Sequence, residues 1–167
     1  MVNQNNFSMK NEKKKPSKSV KVIPDGFHSV TPFLIAKGAT DLIDFITNAF
    51  DGRVTSIMNG DNNIVIHATV QIGNSNIMIA DEMENMSAMS GLLYIYVKDV
   101  DSVYRNAIDA GGVSIHEPKD EFYGDRSAGV KDTWGNQWWI ATHIEDLSDK
   151  ELKVKMEAEE SRRAVHA

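Results

Sequence analysis

One amphipathic helix pattern occurs twice in this chain. Leu42, Phe45, Ile46, Ala49 and Phe50 stand at i, i+3, i+4, i+7 and i+8, and Val100, Val103, Tyr104, Ala107 and Ile108 repeat that spacing 58 residues later. Each pattern follows a short apolar run and precedes further strand-like runs. A period of this length seen only twice points to two equivalent half-domains and away from a solenoid. Neither half closes a good core alone, so the two must pack together, and the space between them is the natural place for a site.

Turn and cap signals divide the chain finely. Pro24-Asp25-Gly26 ends a polar tail, 1–23. Ser29 to Ala36 reads as a strand, with Pro32 tolerable at an edge or irregular point. Thr40 or Asp41 is the expected cap of the first helix, and Asp51-Gly52 its stop. Arg53 to Met58 reads as a strand, and Asn59-Gly60-Asp61-Asn62 as a hairpin-type turn. From Ile64 to Ile72 the residues alternate, with Ile64, Ile66, Ala68 and Val70 on one face and Val65, His67, Thr69 and Gln71 on the other. Asn76 to Ala80 is the fourth strand. Asp81 to Ser90, rich in Met and Glu, joins the halves. The second half reads as strand Leu92 to Val97, a helix capped by Asp99 and ended by Gly111-Gly112, then strands Val113 to His116, Gly129 to Lys131 and Gln137 to Thr142. The predicted order is βαβββ, linker, βαβββ: an α+β fold in one domain over 24–147, with modules 27–82 and 91–145. Ser148 followed by Glu151 is a capping-box pattern, so the charged end 148–167 is expected as a short helix or tail that fades before Ala167.

Composition bounds the function. The chain has 167 residues, 41% hydrophobic and 25% charged, an ordinary soluble globular balance. A net charge of -6 argues against nucleic acid or an anionic membrane as partner. There are no cysteines, which excludes disulfides, thiolate nucleophiles and Cys-based metal sites and is compatible with a cytoplasmic setting. No run approaches the apolar length of a membrane span. Met1 to Ser19 lacks an apolar centre, so it is read as a solvated, disordered tail and not as a secretory signal. Its Lys10, Lys13, Lys14, Lys15 and Lys18 leave a nuclear or nucleic-acid tag as the alternative.

Few residues invite chemistry. The five histidines form no His-x-x-x-His pair, so a helix-borne metalloprotease site is absent. His67, in mid-strand, reads first as a satisfied core or rim histidine and second as an acid–base or ligand-contacting group. His116 and His143 lie at strand ends and read as solvated. Arg126, beside Asp125 in an expected turn, reads first as half of an ion pair or turn cap and second as an anion-binding fork. Asp132 is expected to accept backbone hydrogen bonds around Trp134-Gly135-Asn136. Phe33, Tyr94, Tyr96 and Trp139 would line a half-barrel with flat apolar walls and a few hydroxyls. Stacked core aromatics, or tryptophans against a second subunit, are the other readings.

The stretches Gly26-Phe27-His28-Ser29-Val30-Thr31-Pro32-Phe33-Leu34, Ala49-Phe50, Ile72-Gly73-Asn74-Ser75, Gly124-Asp125-Arg126 and Asp132-Thr133-Trp134-Gly135-Asn136-Gln137-Trp138 together resemble the vicinal oxygen chelate superfamily. That superfamily contains glyoxalase I, bleomycin-resistance proteins and extradiol dioxygenases, and the PhnB-like branch is the more similar. The resemblance implies paired βαβββ modules, often in dimers. In metal-dependent relatives, His, Gln or Glu on inner strands hold a divalent ion. Carried over, those positions fall on Thr31, Leu92, Trp139 and either Met78 or Ala80, none an imidazole or a carboxylate. His67-Ala68 is followed by Thr69 where the branch often has Glu.

The expected protein is therefore a glyoxalase-like homodimer with no metal and no other cofactor. It would bind a small apolar or aromatic ligand in a cup lined by Thr31, Phe33, Leu92, Tyr94, Tyr96 and Trp139. One alternative is a metal-independent lyase or isomerase using His67 as base and Arg126 or a tyrosine hydroxyl against developing negative charge. The other is a structural or protein-interaction module.

Overall fold

The computed structural model describes residues 20–166. The tail expected over 1–23 and its lysines lie outside the described residues up to position 19, and Val20 and Val22, which follow, are exposed. The first module comprises β1 (Phe33–Ala36), α1 (Ala39–Phe50), β2 (Arg53–Asn59), β3 (Val65–Ile72) and β4 (Ser75–Asp81). The second comprises β5 (Leu92–Tyr96), α2 (Val100–Asp109), β6 (Val113–Asp120), β7 (Asp125–Lys131) and β8 (Gln137–His143), and α3 (Asp149–His166) follows. Each module folds its strands into one four-stranded sheet, in the orders β1-β4-β3-β2 and β5-β8-β7-β6. In both, the first strand pairs parallel to the last, and the other pairings are antiparallel. The duplication read from the helices thus extends to complete βαβββ units.

The helices form where the apolar periodicity places them, and their buried stripes meet in one core. Leu42, Ile46 and Ala49 of α1 and Ala107 of α2 are wholly buried. α1 packs against α2, and α2 covers β6, β7 and β8. Trp138 of β8 is wholly buried, with its ring centroid 4.6 Å from that of Phe50 and 6.5 Å from that of Phe45, both on α1. A side chain of the second module therefore sits beneath the helix of the first. An aromatic of this size removes about 200 Å² from water, worth about 5 kcal/mol as an upper bound.

The helix starts show what sequence position alone did not settle. Neither Thr40 nor Asp41 caps α1: the cap residue is Gly38, in the left-handed region at φ 83°, with no side-chain bond. The acceptor arrives from β4, where Asp81 Oδ1 takes the N–H groups of Gly38 and Ala39 at 2.9 Å each and Oδ2 takes that of Val65 at 2.8 Å. A carboxylate there meets the positive end of the helix. In the second module Asp99 caps α2 through Ser102 N, as expected, and Thr142 near the end of β8 accepts from Val100 N at 3.1 Å. Gly112 follows α2 where a Cβ would lie 2.4 Å from Val130 Cγ1, so only glycine lets the chain pass this close to β7.

Several strand bounds differ from expectation. Residues 29–32 are irregular, and pairing with β4 begins where Pro32 O accepts from Met78 N. β6 and β7 are longer than read, so Arg126 lies within a strand and not in a turn. In β3, Val65 is buried and Ile66 exposed, the reverse of strict alternation, beside a register shift between Met58 and Asn59. The Ser148–Glu151 capping box forms, and the helix it opens runs on to His166. The linker lies along the free edge of β1, with Met89 N donating to Ile35 O.

Candidate functional site

Strand alternation gives each sheet a face toward the helices and a face away from them. Leu34, Ala36, Ala68, Val70, Ala128, Val130, Trp138 and Ile140 belong to the common core. Their strand neighbours Phe33, His67, Leu92, Tyr94, Tyr96, Asp125, Ser127, Trp139 and His143 take the opposite, open face.

Where the modules adjoin, a cavity of about 730 Å³ opens between β5, the segment 28–34 and the start of β4. Phe33, Leu92, Tyr94 and Tyr96 line it together, with His28 and Asn76. Asn76 is buried, and its Oδ1 has no hydrogen-bond partner. Of the other expected pocket residues, Thr31 turns back to donate its hydroxyl to His28 O. Trp139 stands directly across from Tyr94 in the β5–β8 register, outside the cavity wall, with its ring 6.0 Å from that of His116.

His67 and Arg126, paired in the acid–base reading, do not converge. His67 faces outward on the first sheet, 5.9 Å from the Phe33 ring. Arg126 shares strand parity with Ala128 and Val130 and points to the helix side. There it donates Nε and Nη2 to the two oxygens of Asp101 on α2, each at 2.8 Å, and Nη1 to Asp120 at 2.8 Å. Asp101 first and Asp120 second raise its already high pKa further. This is the ion-pair role, and it leaves the fork no open side toward the cavity.

The polar centre of the open face is Asp125, which sequence reading passed over in favour of its neighbour. Gly124 delivers it: at φ 97°, a Cβ at that position would lie 2.3 Å from Glu145 O. Asp125 Oδ2 accepts the hydroxyls of Tyr94 at 3.1 Å and Tyr96 at 3.0 Å, and Oδ1 meets His143 Nδ1 at 2.7 Å. His143 Nε2 reaches Asp146 Oδ1 at 3.0 Å. Burial of Asp125 opposes its charge, but the bonds from His143, Tyr96 and Tyr94 outweigh it and hold the carboxyl below its ordinary pKa. The same carboxylate, followed by Asp146, raises the pKa of His143. Burial, then bonds to Tyr123 and Asp125, push the Tyr94 hydroxyl well up, and the bond to Asp125 pushes up that of Tyr96. The residues around His143 predict a solvated strand end. It is half exposed, yet both ring nitrogens are engaged. Gly124-Asp125-Arg126 was the available signal, but only the β5–β8–β7 register carries two tyrosines across to that aspartate.

Asp132 organises the turn before β8. Its Oδ1 accepts the N–H groups of Trp134 and Asn136 at 3.0 and 2.8 Å, as expected. Its Oδ2 also takes Asn136 Nδ2 at 2.8 Å and Trp138 Nε1 at 2.9 Å. Asn136 Oδ1 in turn accepts Gly91 N ahead of β5, and Trp134 Nε1 donates to Lys37 O in the first module. One turn thus fixes the start of the cavity wall and ties the modules together.

The positions to which the resemblance would assign metal ligands offer a hydroxyl at Thr31 and no donor at Leu92, Trp139, Ala80 or, beyond its thioether, Met78. Among the described residues no group of three or more His, Cys, Asp and Glu is placed to hold a metal ion. The donor set does not fit a divalent cation.

Two βαβββ modules sharing one core, with a ring-walled cavity where they adjoin, define the paired-module glyoxalase-like class of α+β proteins. The chain belongs to the Glyoxalase/Bleomycin resistance protein/Dioxygenase superfamily, whose model matches residues 26–140. An uncharacterized protein of Mycobacterium bovis is 25% identical over 142 residues, covering 78% of this chain and 93% of that one. Among solved structures, TioX from Micromonospora matches with a TM-score of 0.57 at 18% identity, covering 70% of this chain and 100% of its own. A PhnB protein from Bacillus cereus matches with a TM-score of 0.54 at 24% identity, covering 69% and 99%. These likenesses establish the shared fold.

Proposed function

We propose that the protein binds a small apolar or aromatic molecule in the cavity between its modules. The observation that carries this reading is the wall formed by Phe33 from one module and Leu92, Tyr94 and Tyr96 from the other. Flat apolar walls with few polar groups are the usual lining of small-molecule sites. The unpaired Oδ1 of Asn76 beside the cavity supports it, since a ligand donor would satisfy a buried oxygen that folded proteins seldom leave alone. The misfit of the metal-ligand positions favours binding over the metal-assisted reactions of the superfamily.

A second copy of the chain is the proposed partner. Ile57, Met58, Ile66, Leu92, Tyr96 and Val113 are each at least two-fifths exposed, and a second copy would cover apolar side chains of this kind. Light scattering on a size-exclusion column would give twice the chain mass; a monomer at micromolar concentration would refute this.

The neutral fluorophore N-phenyl-1-naphthylamine tests the cavity. Saturable binding, one molecule per chain, weakened about tenfold or more by Phe33→Ala with Tyr94→Ala, is the expected result. Non-saturable binding, or binding indifferent to those substitutions, would remove the proposal.

A further inference from the structure

One wall of the cavity is main chain. β5 is an edge strand, paired on one side only, with β8. Gly91 O accepts from Gln137 N and Val97 N donates to Ala141 O, so the odd-numbered residues from Gly91 to Val97 address β8. In an extended strand the N–H and C=O of one residue point the same way, and those of its neighbours point the other way. The N–H and C=O groups of Leu92, Tyr94 and Tyr96 therefore point off the free edge, and none has a hydrogen-bond partner among the described residues. Every residue from Gly91 to Tyr96 lines the cavity, whichever face its side chain takes, as happens where a strand borders a space edge-on. The strands β2 and β6, the other outer edges of the two sheets, line no part of it. The free edge of β1 is met by the linker, where Met89 N donates to Ile35 O, so one edge of this kind already takes an amide group from outside its sheet. The tyrosine side chains do not fill this role on β5. Both hydroxyls are bonded to Asp125, beyond β8, which engages them and holds the strand in place. Polar recognition on this wall falls to the backbone.

We propose that the free edge of β5, centred on the N–H and C=O of Tyr94, selects a flat apolar ligand that carries an N–H donor beside a C=O acceptor, as an aromatic lactam does. This inference rests on the cavity reading above and narrows it from apolar or aromatic molecules in general to those with such a rim. A donor and an acceptor side by side complement the pair that one extended residue presents, so two hydrogen bonds form at once. The ring then reaches from β5 toward Phe33 of the other module, across the same cavity. A ligand with a wholly apolar rim displaces water from these backbone groups and leaves them unpaired, which works against its binding. Blocking the ligand's N–H has the same consequence for the carbonyl of Tyr94.

The test compares 2-quinolinone with N-methyl-2-quinolinone, which keeps the ring and the carbonyl and lacks the N–H, by calorimetric titration of the full chain. The lactam should bind about tenfold tighter than its methylated form. Amide hydrogen exchange, read residue by residue by NMR, locates the contact. Saturating 2-quinolinone should slow exchange at Tyr94 about fivefold or more and leave Leu93 and Ile95, which face β8, unchanged. Tyr94→Pro deletes the N–H at an edge position without breaking a bond to β8, and Tyr94→Ala controls for the lost ring. The proline variant should bind 2-quinolinone about tenfold more weakly than the alanine variant. If the proline variant does not fold, the exchange measurement on the parent decides. Equal affinities for the two quinolinones, a Tyr94 amide that the lactam does not slow, or a folded proline variant as tight as the alanine one would each overturn the assignment. If N-phenyl-1-naphthylamine binds and the two quinolinones bind alike, the cavity reading stands and this one falls; if none of the three binds, both fall.

Discussion

Replacing Asp132 by Asn changes one oxygen to an amide and leaves the shape of the turn intact. With the remaining oxygen kept on the backbone N–H groups of Trp134 and Asn136, the new NH2 faces Asn136 Nδ2 and Trp138 Nε1, both donors. Asn136 is 2% exposed and Trp138 wholly buried, so water cannot replace the lost acceptor. A buried donor left without a partner costs about 1–3 kcal/mol, so two cost about 2–6 kcal/mol, and loss of the charge weakens the two bonds that stay. We expect Asp132→Asn to destabilise the protein by about 4 kcal/mol, a large part of a typical folding free energy. In urea titrations followed by far-ultraviolet circular dichroism at fixed protein concentration, the midpoint should fall with the slope unchanged. A Trp138→Phe background removes one of the stranded donors. There the same substitution should cost about 1.5 kcal/mol less. A loss under about 1 kcal/mol in the parent, or identical losses in the two backgrounds, would refute the reasoning that this carboxylate is held by its side-chain donors.

Other outcomes follow from the same kind of accounting. Asp81→Ala strands the N–H groups of Gly38, Ala39 and Val65, and should cost about 2–4 kcal/mol in the same urea assay. Gly112→Ala drives a methyl to 2.4 Å from Val130 Cγ1 and 2.7 Å from Ala107 O; a loss of about 2–3 kcal/mol is expected, partly recovered by adding Val130→Ala. Stability should also depend on pH through Asp125 and His143. The lowered Asp125 carboxyl contributes above its unfolded pKa near 3.8 and loses that contribution as pH falls through its folded value. The raised His143 contributes below 6.5, and that contribution disappears as pH climbs through its folded value. The unfolding free energy should therefore be greatest between about pH 4 and 6.5, and His143→Gln should flatten the alkaline limb and also shrink the acid one, because it removes the first of the bonds that hold Asp125 low.

The Asp125 cluster reframes the second module. His67 of the first module and Arg126 of the second, the two residues that invite acid–base chemistry in the sequence, lie on different sheets and opposite faces. What the fold assembles instead lies within one module, across three adjacent strands. The cavity, by contrast, takes residues from both modules.

Local spacing determined a good deal. The two apolar stripes, Asp99 as a cap, the glycines after the helices, the Ser148–Glu151 box and the Asp132 turn are each decided within a few residues, and each forms as the residues dictate. Phe33, Leu92, Tyr94 and Tyr96 could be placed together because strand alternation and the duplicated module order constrain them. The cap of α1, the side that Arg126 takes, the exchange of Val65 and Ile66, and the gathering of Tyr94, Tyr96 and His143 on Asp125 lay beyond that reach. Each depends on the pairing register of strands, between residues that lie 6 to 45 positions apart in the chain. A shift of one residue in any of those pairings turns every side chain to the opposite face. That register was set by the shared core around Trp138, where the packing of both modules is decided at once.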